Sequence, residues 1–221
     1  MGSQRARHLH RTWSHTSKQN FKIAPVTHML TYVPSSITGL LCHYSHLYAA
    51  GDVINLVVYL VRGTLSPDNP PTRDLGVARR KLQFALAQNV VAGRTLVWHA
   101  AQILAIANEY LVSTPCEIMR IFMAYVFIMA YSVYGPKADR DPFAVPVRLD
   151  LSDQRPHHGQ AVGDWMRHGG PARVGSVADI FSDGCFPSLC NNAQAMMQKL
   201  RCWGLAEKFT KILQTIGEKG L

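Results

Sequence analysis

The sequence predicts an all-α protein, an irregular multi-helix bundle joined by long Pro/Gly loops. Three observations lead there. Apolar residues recur at helical spacing in segment after segment. No segment alternates with period two for long enough to build a sheet. Clusters of Pro and Gly then divide the periodic segments from one another. The hydrophobic fraction of 48% is enough to bury a core and argues against disorder.

Taken in order, residues 1–21 read as a basic, flexible N-terminal segment and residues 22–221 as the helical body. Ile23, Val26, Met29, Leu30 and Val33 form a first helical stripe. Pro34-Ser35-Ser36 is expected to break and re-cap the chain. A second helix follows to about Ala50, with Ile37, Leu40, Leu41, Tyr44 and Leu47 or Tyr48 facing inward. Val53–Arg62 is apolar enough for helix or strand, and its neighbours favour helix. Gly63–Arg73 is a loop, and Asp74 can cap the next helix, which carries Val77, Leu82, Phe84, Leu86 and Val90 inward.

The most regular stripe runs from Leu96 through Ala100, Ile103, Leu104 and Ala107 to Leu111. Ser113-Thr114-Pro115 closes it and opens another helix, with Thr114 as N-cap, Pro115 at N1 and Glu117 at N3. That helix, to about Tyr134, is apolar almost all round and should be central. Gly135–Arg148 is a second loop. A short amphipathic helix around Val162, Trp165 and Met166 follows, then a turn of helix within Val174–Phe181. Two terminal helices close the chain, one on Leu189, Ala193, Met196, Met197 and Leu200, the other on Leu205, Phe209, Ile212, Leu213 and Ile216.

The net charge is +9, and five of those charges (Arg5, Arg7, Arg11, Lys18 and Lys22) precede the first acid, Asp52. The remaining 170 residues therefore carry only four. The basic triplet Arg79, Arg80 and Lys81 fans around a helix and reads as a solvated face. Five widely spaced Cys form no disulfide framework and suit a reducing compartment. Cys116 and Cys202 read as small core residues. The longest apolar run, Ile121–Tyr131, is about half of the roughly 20 residues that span a bilayer, so no membrane segment is expected.

No GxSxG, Walker A or GxGxxG occurs, and an enzyme is not expected. Asp139, Asp141, Asp150 and Asp153 alternate with Arg140, Arg148 and Arg155 and read as a neutralised, solvated loop. His43-x-x-His46 shares one helix face, but sequence supplies no further ligand except Cys42, so no metal is assigned. His157-His158 reads as solvated. Cys185-x4-Cys190 lacks close zinc-knuckle spacing, and Cys190 is placed near a helix start, where a thiolate is favoured.

Several segments in order resemble the regulatory domain (middle homology region) of fungal-specific transcription factors. They are His28–Pro34 (HMLTYVP) with His46–Gly51 (HLYAAG), Leu96–Leu104 (LVWHAAQIL), Pro115-Cys116-Glu117 before an apolar helix, and Trp203-Gly204-Leu205-Ala206 before Phe209 and Ile212-Leu213. The resemblance covers about Ile23 to Ile216. It marks Pro34, Trp98, His99, Gln102, Pro115, Glu117, Trp203 and Gly204 as signature residues of structural or regulatory kind.

The resemblance implies the C-terminal part of such a domain, in a nuclear regulator of RNA polymerase II transcription. Its zinc DNA-binding module has no counterpart here, so zinc and DNA would be bound only by that module and no cofactor by this chain. Implied partners are the transcription machinery or co-regulator proteins, with a small-molecule effector and homo-oligomerisation compatible with the type. The alternative is a helical protein-interaction module unrelated to transcription. Trp98, His99 and Gln102 lie within about one helical turn and could line an inner polar spot. The simpler expectation is that His99 and Gln102 are core polar residues with satisfied hydrogen bonds.

Overall fold

Two helices of 20 residues each carry much of the buried core and stand at its centre. In a computed structural model, residues 28–65, 72–110, 114–137, 144–151, 156–200 and 204–221 are described. The chain divides into residues 1–37 and residues 38–221. The first unit contributes only the start of one helix to the described residues, and the second holds the core.

The described residues form eight helices: α1 His28–Ala49, α2 Gly51–Leu65, α3 Thr72–Gln88, α4 Val90–Glu109, α5 Pro115–Tyr134, α6 Pro156–His168, α7 Cys185–Lys199 and α8 Gly204–Lys219. The fold is all-α. Its strands among the described residues are two short ones, β1 Val147–Arg148 and β2 Ala172–Arg173, paired in parallel.

Helices α4 and α5 pack against each other along their lengths. Val97, Ile103 and Leu104 from α4 meet a core that takes Ile118, Ile121, Val126, Phe127, Ile128 and Met129 from α5. Each fully buried Leu, Ile or Phe contributes about 1.5–3 kcal/mol. Gly93 permits the close approach, since a Cβ there would lie 3.2 Å from Cε2 of Tyr131. By length and composition both helices could cross a membrane, but most of their apolar surface is buried inside the protein, as in the core helices of soluble folds. The unbroken apolar run Ile121–Tyr131 is only about half a span, because the remaining length of each helix mixes polar residues among the apolar ones.

Around this pair, α7 packs on α5 and on α8, α8 reaches α2, and α2 packs on α3. The stretch 144–151 packs through β1 on β2 and on α6, and α6 packs on α4. Within that stretch Asp150 accepts hydrogen bonds from Arg148 Nε at 3.1 Å and Gly175 N at 2.9 Å. Asp179 accepts from the amides of Ala172 and Phe181. Asp150 is thus a buried acceptor rather than part of a solvated loop; Asp139, Asp141, Asp153, Arg140 and Arg155 lie outside the described residues.

Several boundaries differ from the sequence reading. The backbone is helical from His28 to Ala49, through Pro34. Proline deletes one helical hydrogen bond and crowds the preceding turn, a local cost that does not have to end a helix. Val90 belongs to α4, because Asn89 breaks the chain and its side chain accepts from Ala92 N at 3.0 Å. Val174–Phe181 is not helical: Val174 and Val177 pair as an antiparallel bridge around Gly175, whose φ is +59°. Phe84, placed inward by spacing, is 64% exposed, and Leu41 is exposed as well; of the pair Leu47 or Tyr48, Leu47 is the buried one and Tyr48 is exposed. Cys116 is exposed rather than core, and Cys202 lies outside the described residues. Arg79, Arg80 and Lys81 are exposed, as a solvated face requires.

Candidate functional site

Two helices place a run of aromatic rings side by side. On α1, His43 and His46 share a face because three residues are nearly one turn. On α4, Trp98 and His99 face them. His43 Nδ1 lies 2.9 Å from His99 Nδ1. The His46 ring stacks on His99 with centroids 4.4 Å apart and planes 11° from parallel. Trp98 meets His43 edge to face at 5.3 Å. His99 is buried at 8% exposure, His43 and Trp98 are half-buried, and His46 is exposed.

Burial lowers the pKa of both inner imidazoles to about 4, with neighbouring rings adding to the effect. For His43 the neighbour is His46; for His99 the neighbours are His43 and His46. At neutral pH both rings are therefore neutral. One donates its Nδ1–H and the other accepts at its Nδ1 lone pair, and either tautomer pair satisfies the contact. Among the described residues, the hydrogen bond of this ring cluster joins His43 and His99, and His46 meets them by stacking.

The seam continues along α1. Tyr44 stacks on Tyr48 at 6.0 Å, and the Arg120 guanidinium of α5 sits 5.5 Å from the Tyr44 centroid. Leu41 and Tyr48 thus leave an exposed apolar and aromatic stripe, with the half-buried Tyr44 packed against the core between them and a cation beside it.

The signature residues separate into two kinds. Gln102 is a buried strut. Its Nε2 donates to Leu149 O at 2.7 Å and Leu151 O at 3.2 Å, tying α4 to the strand segment. Glu117 is likewise consumed locally: its buried carboxylate accepts from Thr114 N at 3.0 Å, behind Pro115 at the start of α5. Gly204 opens α8. His99 and Trp98 belong to the ring seam. Trp203 and the side chain of Pro34 lie outside the described residues. Trp98, His99 and Gln102 therefore do not line one spot. Gln102 points to the 149–151 backbone, and the two rings point to α1.

Sequence reading missed the partner of His43-x-x-His46, because His99 is 56 residues from His43. It also missed Arg94, buried in α4, which donates to the carbonyls of Met166 at 3.4 Å and Arg167 at 3.0 Å near the end of α6. A lone arginine in a helix carries no signal of that role. Cys190 does not sit at a helix start, since α7 begins at Cys185. Buried among apolar groups, with Sγ 3.7 Å from Met129 Sδ, its thiol is pushed up to about 11 by desolvation. Among the described residues, no three His, Cys, Asp or Glu side chains are arranged to hold a metal ion. His157 and His158 have side chains outside the described residues.

No family model matches the chain, and no curated protein or solved structure matches it.

Proposed function

We propose that this chain is the regulatory domain of a fungal RNA polymerase II transcription factor, acting in the nucleus without catalysis, its DNA-binding module lying outside this chain. The observation that carries the reading is the meeting of two of its ordered sequence elements. His46 of the HLYAAG segment stacks on His99 of the LVWHAAQIL segment, 4.4 Å between centroids. Residues spaced along the sequence as a signature are thus used together as packing.

The fate of the polar signature residues supports a regulatory body over an enzyme. A catalytic amide or carboxylate needs free lone pairs or protons facing a substrate. Gln102 and Glu117 instead spend theirs on backbone groups. A helical body can transmit regulation when a ligand or partner biases one of two arrangements. The α1 seam suits such a role, because α1 meets α4 and α5 through long side chains such as His43 and Tyr44. Partners would be co-regulator proteins or the transcription machinery, with a small-molecule effector as a further bias.

A second reading, a helical interaction module unrelated to transcription, draws on the exposed Leu41 and Tyr48 of the α1 stripe. One experiment separates the two. The chain is fused to a heterologous DNA-binding domain and followed in a fungal host for reporter output and location. Nuclear retention with altered reporter output is expected. Output equal to the DNA-binding domain alone, together with cytosolic partners, would overturn the first reading in favour of the second.

A further inference from the structure

We propose that the ring cluster of His43, His99 and His46 is an acid-operated latch: its neutral imidazoles hold α1 against α4, and their protonation releases residues 38–49 from the body.

The hydrogen bond of the latch depends on a lone pair. His43 Nδ1 and His99 Nδ1 are 2.9 Å apart, so one ring donates and the other must be neutral to accept. A first added proton has to enter a buried site. A second sets N–H against N–H across that contact and places two like charges side by side. His46 is stacked on His99 at 4.4 Å and adds a further positive charge to the same cluster when it is protonated.

Among the described residues, no carboxylate faces the rings to offset such charge. Helix α1 carries no Asp or Glu, and its Cys42, Tyr44 and Tyr48 are uncharged in acid. On α4 the acid is Glu109, almost three turns beyond His99, which accepts from the Tyr110 hydroxyl at 2.9 Å. The α4 cation, Arg94, is turned to the carbonyls of Met166 and Arg167. From α5, Glu117 is turned to the Thr114 amide, while Arg120 lies over Tyr44, the neighbour of His43 in the chain. The charge that α5 brings to the seam is therefore positive. Asp52, at the start of α2, is exposed to solvent. Trp98 meets His43 edge to face at 5.3 Å, a contact that can favour a cation. Burial outweighs it and holds both inner rings at about 4, below the ordinary 6.5.

The attachment of α1 suits a hinged element. Ala50 alone separates α1 from α2, and a side chain at Gly51 would meet nothing. Behind the rings α1 buries Leu40 and Leu47 and covers Ile106 of α4, whose Cδ1 lies 3.4 Å from a Cβ at Gly39. Release uncovers these apolar groups together. A docked His43 at about 4 and a released one near 6.5 bind protons unequally in the window between. Docking is at full strength above that window, weakens as pH falls through it, and reaches its floor below it. For His43 alone, the ratio of released to docked chain rises roughly twentyfold between pH 7 and pH 5. The switch does not depend on a transcriptional role.

The test uses the full chain at constant ionic strength. Amide hydrogen exchange, corrected for the pH dependence of the intrinsic rate, is followed at pH 7 and pH 5. Opening of residues 38–49 should rise roughly twentyfold or more, with α5 unchanged. In His43→Gln/His99→Gln the amides keep a hydrogen bond and cannot titrate, and the rise should fall below about threefold. An α1 opening that is the same at both pH values overturns the proposal. So does one that keeps its full pH dependence in the double variant, or one matched by α5, which is global acid unfolding. Should the double variant fail to fold, the ring signals of His43 and His99 in the parent decide by nuclear magnetic resonance. Both rings still mostly neutral at pH 5, alongside the selective opening of α1, support the latch; either ring titrating near 6.5 overturns it.

Discussion

Replacing Gln102 with Leu removes two hydrogen bonds while keeping most of the side-chain volume. Gln102 Nε2 is the donor to Leu149 O at 2.7 Å, a carbonyl belonging to a fully buried residue, and to Leu151 O at 3.2 Å, where solvent is closer. Stranding a buried carbonyl costs about 1–3 kcal/mol. The half-buried Leu151 carbonyl can recruit water and should cost less. The apolar replacement offsets part of the loss by removing a buried amide from the folded state. The net expectation is a destabilisation of about 1.5–3 kcal/mol. For a domain of this size that corresponds to a fall in Tm of roughly 3–12 °C. Urea unfolding followed by circular dichroism measures it as a lower midpoint at unchanged slope. Gln102→Glu should cost more, because it sets a carboxylate against two carbonyl oxygens. Hydrogen exchange should rise in residues 144–151 before the central helices. If Gln102→Leu falls within about 0.5 kcal/mol of the parent, in the range of ordinary surface substitutions, the strut argument is wrong.

Other substitutions test other contacts. Arg94→Met leaves the carbonyls of Met166 and Arg167 without their guanidinium and should cost about 2 kcal/mol, with faster exchange at the end of α6; an unchanged urea midpoint would count against that contact. Gly93→Val drives methyl groups toward Tyr131, only 3.2 Å from a Cβ at this position, and should lower stability by about 1–3 kcal/mol in thermal unfolding. Glu117→Ala strands the Thr114 amide at the first turn of α5 and should cost about 1–2 kcal/mol, with Glu117→Gln recovering part of it. Thiol labelling at pH 8 in a Cys202→Ser background should modify Cys42 and Cys116 quickly. Cys185 and Cys190 should stay protected, Cys190 doubly so because its pKa of about 11 keeps it protonated. Fast labelling of Cys190 in the folded protein would show that α7 does not bury it.

Helical periodicity was enough to read the all-α class and the central place of Pro115–Tyr134, because burial on every side requires apolar residues on every side. The start of α5 was legible for a similarly local reason: Thr114, Pro115 and Glu117 act on backbone groups within one turn. Asn89 as the cap separating α3 from α4 was less legible, since Val90 continues the apolar spacing of the preceding helix. The exposed Phe84 and Leu41 show the limit of spacing arguments. A hydrophobic residue on a plausible face is buried only where another element covers it.

The ring seam and the Gln102 strut belong to the tertiary structure. Sequence alone determined that His43 and His46 share a helix face and that Trp98, His99 and Gln102 follow one another on another helix. Only the packing of α1 against α4 decided that His99 lies beneath both histidines while Gln102 faces the opposite segment. The physical reason is range. Capping and periodicity act over a few residues and leave their mark in the chain. A hydrogen bond between side chains 56 residues apart exists only after the core has brought their helices together.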